Sequence, residues 1–111
     1  MAIQIIRERA TLEQISEMLK ALGIYIKLAV DIEQQAIAGG GEMHYDCEQA
    51  LLGEGSLQSN IWGADWTPTR QRIAYESIIN LRPRSNRSME ILDPQIRAQI
   101  AQVILSHLGG I

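Results

Sequence analysis

The chain of 111 residues has no phenylalanine, one cysteine, three prolines and only two lysines. A lone Cys47 can neither close an internal disulfide nor build a thiolate zinc cage, and it suits a reducing compartment. No apolar run approaches the ~20 residues needed to span a bilayer. The segment Met1 to Arg9 lacks the apolar core and small-residue cleavage site of a secretory signal. A cytoplasmic location without membrane association is therefore expected. G-x-S-x-G, H-E-x-x-H, G-x-G-x-x-G and paired C-x-x-C are all missing, which removes the commonest routes to an enzyme. Internal repeats, linkers and low-complexity stretches are absent too.

What is present fits one folded domain, with 46% hydrophobic and 21% charged residues. The formal charge is −3, unevenly spread. Up to Thr69, four basic residues stand against ten acids; from Arg70 onward, six arginines stand against Glu76, Glu90 and Asp93. The halves either neutralise each other, across the fold or a dimer interface, or leave an arginine-rich face for an anion. Net acidity argues against binding along a nucleic-acid backbone, which needs a broad basic surface.

Periodicity supplies the elements. Ile3-Gln4-Ile5-Ile6 reads as a short strand. Thr11 and Gln14 form a capping box ahead of a helix with Leu12, Ile15, Met18, Leu19 and Leu22 on one stripe, stopped by Gly23. Ile26, Leu28, Val30 and Ile32 alternate with Lys27, Ala29, Asp31 and Glu33, a strand burying one face. Gln34-Gln35 turns into a second strand, Ala36-Ile37-Ala38, which Gly39-Gly40-Gly41 is expected to break. Asp46 is expected to cap a short helix ended by Gly53 and Gly55. Ile61 to Trp66 and Arg72 to Leu81 read as two more strands, and Asp93-Pro94 starts the last helix. The expectation is an α+β single domain in the order β-α-β-β-α-β-β-α, with a largely antiparallel sheet and helices on one face.

Several blocks carry a family likeness. Val30-Asp31-Ile32-Glu33, then Ala38-Gly39-Gly40-Gly41-Glu42-Met43-His44 with Asp46, Glu48, Leu51 and Leu52, resemble a pattern found in small prokaryotic proteins. So do Ile61-Trp62-Gly63, Ile79-Asn80-Leu81-Arg82-Pro83, Asn86-Arg87-Ser88 and Ile91. The likeness runs from about Arg7 to Leu105 and departs from the pattern at Asp65-Trp66. That family has no assigned function, so the resemblance implies one compact domain and no reaction. Its recurring polar residues correspond to Asp31, Glu42, His44, Asp46, Arg82, Asn86, Arg87 and Ser88.

Two constellations could carry chemistry. In an extended chain His44, Asp46 and Glu48 would point one way and, with Asp31 and Glu42 nearby, could ligate a divalent metal or pair an imidazole with a carboxylate. The plainer reading is a glycine turn, a helix cap and a loop hydrogen bond. The second is Arg82, Arg84, Asn86, Arg87 and Ser88, whose guanidiniums can each grip a carboxylate or phosphate with two parallel bonds. Here the plainer reading pairs Arg82 and Arg87 with Asp31, Asp46 or Glu48. Trp62 and Trp66 share one strand face, for core packing or for stacking on a base. Cys47 reads as buried filler, with a nucleophile as the alternative. The expected function is a non-catalytic, homodimeric binding protein whose arginine loop meets an anionic small molecule or protein partner, without a cofactor. The alternative is a metal-dependent hydrolase or nuclease-like enzyme using Asp31, His44 and Asp46.

Overall fold

The structure is a computed structural model that describes residues 3–111. Its strands are β1 (Gln4–Ile6), β2 (Ile26–Asp31), β3 (Ala36–Gly41), β4 (Ile61–Thr67) and β5 (Arg72–Ala74). Its helices are α1 (Leu12–Leu19), α2 (His44–Gly53) and α3 (Pro94–Leu108). All strand pairs are antiparallel, in the order β1-β3-β2-β4-β5. The α+β class and the order of elements are those expected from the sequence.

The capping box forms as written: Gln14 N donates to Thr11 Oγ1 at 3.1 Å, and Thr11 N to Gln14 Oε1 at 2.9 Å. The helix ends at Leu19 with Lys20 as its C-cap, earlier than the stop expected at Gly23, which at φ +90° closes the turn that follows by donating to Leu19 O. Leu12 does not join the buried stripe and is 74% exposed. Asp93 caps α3, accepting from Gln95 N at 2.8 Å ahead of Pro94. At the other end, the Arg9 guanidinium donates to Leu105 O, Ser106 O and Gly109 O, where a cation favours the carbonyl-rich terminus.

The expectation of helices on one face holds for α1 and α3 but not for α2. Leu28, Val30, Ile37, Trp62, Ala64 and Trp66 form a core with Ile15 and Met18 of α1 and Ile100, Val103, Ile104 and Leu108 of α3. The alternate positions Ala29, Ala36, Ala38 and Ile61 form a second core with Cys47 and Leu51 of α2. Side chains alternate across a strand, so these clusters lie on opposite faces of the sheet. Strand β2 consequently buries both faces rather than one. The second face is floored with alanine, which lets α2 lie close.

Gly39 to Gly41 do not break the ladder; they complete β3. Lys27 faces Gly41 while Leu28 faces Gly39, so Gly40, at φ +101°, is the extra residue of a β-bulge. A Cβ on Gly39 would fall 2.7 Å from Leu28 Cδ2 and 2.8 Å from Met18 Sδ, on the α1 side. One on Gly41 would meet Asp46 and Cys47 at 3.3 Å, on the α2 side. The glycine run therefore admits a helix on each face of one strand.

Candidate functional site

The arginine-bearing segment follows β4. The long strand expected over Arg72 to Leu81 is shorter: β5 ends at Ala74, and Ile78–Asn80 is a 3₁₀ turn. Ile73 and Tyr75 pack toward the first core and Ile79 toward the second, while Leu81 is exposed. The turn covers the part of β4 that β5 leaves unpaired. Asn80 does this with its side chain. Its Oδ1 accepts from Gly63 N at 2.7 Å and its Nδ2 donates to Gly63 O at 3.0 Å, so one amide stands in for a neighbouring strand. Gly63 has no room for a side chain there, because a Cβ would lie 2.5 Å from Ser77 Cβ.

Arg82 continues the cover. Its guanidinium donates to Ser59 O at 3.3 Å and to Ile61 O, and lies 4.1 Å from the centroid of the Trp62 ring. Burial lowers its pKa from the ordinary value, and the charge of Glu48 partly offsets that. No ion pair closes: Glu48 is 5% exposed and one of its oxygens has no hydrogen-bond partner, nor has Arg82 Nε. Among the described residues the acidic and basic clusters approach each other at Glu48 and Arg82 without closing an ion pair. Asn86 is also occupied by its own chain. Its Nδ2 lies within 3.0 Å of Asn80 O, Ser88 O and Glu90 O, and its Oδ1 accepts from Leu92 N. Ser88 Oγ accepts from Glu90 N.

Arg84 and Arg87 differ from these. Both are exposed, and among the described residues their side chains make no hydrogen bond or ion pair. Arg87 lines a cavity of about 290 Å³ with Leu81, Arg82 and Pro83. Two guanidiniums and two apolar side chains therefore surround one open space, on a loop whose backbone Asn80 and Asn86 hold in place.

The constellation around Asp31, His44 and Asp46 does not gather. Asp31 is fully buried at the β2–β3 turn, accepting from Glu33 N and Gln34 N at 2.9 Å and from Ser56 Oγ at 2.6 Å. His44 lies toward the other end of the sheet, its Nε2 2.8 Å from Asp65 Oδ1 and 3.2 Å from Ala64 O. Asp31 pairs with Ile61 and Lys27 with Asp65, so the two sites are four strand residues apart, about 13 Å. Glu42 is exposed, and Lys27 Nζ donates to its backbone carbonyl at 3.0 Å. Asp46 does not cap α2. The helix starts at His44 behind Met43, leaving Asp46 inside the first turn, where a carboxylate complements the helix dipole. Because His44, Asp46 and Glu48 are helical, only His44 and Glu48 share a face. Among the described residues, no three His, Cys, Asp or Glu side chains are grouped so as to hold a metal ion. Sequence reasoning missed Asp65 as the partner of His44 and Asn80 as the cover of β4. Two residues on neighbouring strands carry no local signal of their pairing.

Cys47 is buried against Gly41 and Lys27 O, as its reading as buried filler expects. Burial pushes its thiol up from 9.0 to about 11, against a weaker lowering by a backbone hydrogen bond at Gly41. Below pH 9 folded and unfolded chains both hold the proton; between pH 9 and 11 only the folded chain does. Its contribution is therefore complete below pH 9 and is lost as pH rises through 11, about 3 kcal/mol in all. Urea unfolding of the natural chain and Cys47→Ala at pH 8 and pH 11 isolates it, because the other titrating groups cancel. The natural chain should lose more stability than the variant; equal losses would place the thiol in contact with water.

A family described as "Protein of unknown function (DUF5674)" matches residues 4–107, and the chain belongs to it. No curated protein and no solved structure matches.

Proposed function

We propose that this is a small non-catalytic binding protein whose arginine loop receives an anionic ligand or an acidic part of a partner. One observation supports this above the others. The cavity beside Leu81 and Pro83 presents Arg82 and Arg87, and among the described residues no carboxylate lies within ion-pair distance of either. Asn80 and Asn86 hold the loop in shape, so the ordering cost of binding is small. A homodimer belongs to the same reading: β1 and β5 end the sheet with open edges, and Ile78 and Leu81 are exposed beside the loop. A cytoplasmic location belongs to the same reading and is supported by the single buried thiol.

The alternative, a metal-dependent hydrolase or nuclease-like enzyme, has less support because Asp31 stands apart from His44 and Asp46. Calorimetry with Mg²⁺, Mn²⁺ and Zn²⁺ tests it directly, and heat that disappears in His44→Ala would favour it over the binding reading.

The binding reading predicts different fates for the arginines. Arg84→Ala with Arg87→Ala should change stability by less than about 0.5 kcal/mol, since neither side chain has a protein partner. The same double variant should abolish the amide shifts that phosphate or citrate induces in the 80–88 segment. Arg82→Ala should instead cost about 2 kcal/mol, through the lost bonds to Ile61 O and Ser59 O and the lost Trp62 contact. Identical titrations of the natural chain and the double variant would make the loop purely structural.

A further inference from the structure

Resting on the reading of the arginine loop as an anion site, we infer that its ligand is a monocarboxylate joined to an apolar body. The ligand can be a free organic acid or the carboxyl end of an apolar peptide. Two independent features of the cavity point there. The first is the number of free guanidinium forks. Both terminal nitrogens of Arg82 already donate to backbone carbonyls, at Ser59 and Ile61, and stacking on Trp62 fixes the guanidinium. Arg82 can add at most single bonds from its remaining N–H groups. Arg87, exposed and without a protein partner, keeps its whole fork for two parallel bonds. One free fork matches one planar carboxylate.

The second feature is the scarcity of donors beside an apolar wall. Among the cavity-lining residues only Arg82 and Arg87 are ionised. A carboxylate's two oxygens are met by the one free fork, whereas a phosphate brings further oxygens to walls that supply no donor. The remaining walls, Leu81 and Pro83, offer hydrocarbon contact and no hydrogen-bond donor from their side chains. A carboxylate with no apolar part would leave that surface wet, whereas one with a chain or ring would cover it.

The experiment titrates the full-length chain with hexanoate, acetate, inorganic phosphate and a leucine dipeptide bearing either a free or an amidated carboxyl end, followed by amide NMR. Hexanoate and the free-acid dipeptide should shift the 81–87 signals; acetate and the amidated dipeptide should do so at least about tenfold more weakly. Arg87→Lys, which keeps the charge but loses the fork, should weaken hexanoate by about tenfold as well. Stronger binding of the free-acid dipeptide than of hexanoate would assign a peptide end as the source, and the reverse a small acid. Phosphate binding more tightly than hexanoate would overturn this inference and leave the anion site standing. Shifts from none of the five probes would overturn both.

Discussion

Asn80→Ala should lower the unfolding free energy by about 4 kcal/mol, far more than alanine at any exposed arginine of the neighbouring loop. The side chain is fully buried and makes three bonds, two to Gly63 and one, at 3.2 Å, to Met89 O. Removing it leaves the Gly63 N–H and carbonyl without partners in a place water does not reach, and each orphaned group costs about 1–3 kcal/mol. Asn80→Asp tests the geometry more sharply. It keeps an acceptor for Gly63 N but turns a carboxylate oxygen toward Gly63 O and Met89 O, so it should be no better than alanine. Urea denaturation of both variants with Arg84→Ala as the reference checks this. Loss of less than about 1 kcal/mol would mean that something other than the amide holds the segment to β4.

The same residue shows how far sequence could go. Elements with a period or a cap were legible: the capping box at Thr11, the alternation over Ile26–Asp31 and the Asp93-Pro94 start all stand in the structure. What escaped was decided by partners distant in the chain. Arg72 to Leu81 alternates like a strand, yet Ser77 to Asn80 turns because a side-chain amide, rather than a backbone ladder, meets β4. Gly39-Gly40-Gly41 has the composition of a turn, yet it completes β3, and a Cβ at Gly39 or Gly41 would crowd Leu28 and Met18 on one face or Asp46 and Cys47 on the other. The period of the first core was readable, whereas the placement of α2 on the opposite face was not. Alanines at Ala29, Ala36 and Ala38 are too weakly apolar to mark a buried surface.

The candidate site divides along the same line. That three arginines lie close together in the chain was plain, but their separate tasks depend on what surrounds each. Arg82 meets carbonyls and a tryptophan face, while Arg84 and Arg87 meet solvent. Likewise Asp31 and His44, thirteen residues apart in the chain, are separated by the length of the β2–β4 pairing, and each takes its own local partner.

Gly63→Ala should be nearly as damaging as Asn80→Ala by the opposite means, adding a group instead of removing one. The new Cβ would stand 2.5 Å from Ser77 Cβ, 2.7 Å from Ser77 Oγ and 3.0 Å from Ile79 Cγ1. Ser77 Cβ is no flexible tip; it sits on backbone held by the Ser77 N to Met89 O bond at 3.0 Å. The 3₁₀ turn must therefore move off β4, which stretches the Asn80 bonds to Gly63, at a combined cost of about 3 kcal/mol. Gly53→Ala supplies the contrast. Nothing lies within 4 Å of a Cβ there, and the residue closes α2, so alanine should raise stability by about 0.5 kcal/mol. Because Gly63→Ala and Asn80→Ala break one contact from its two sides, the double variant should lose clearly less than the two single losses combined. Full additivity in urea unfolding would show that Gly63 and Asn80 act separately, and that the amide is no substitute for a strand.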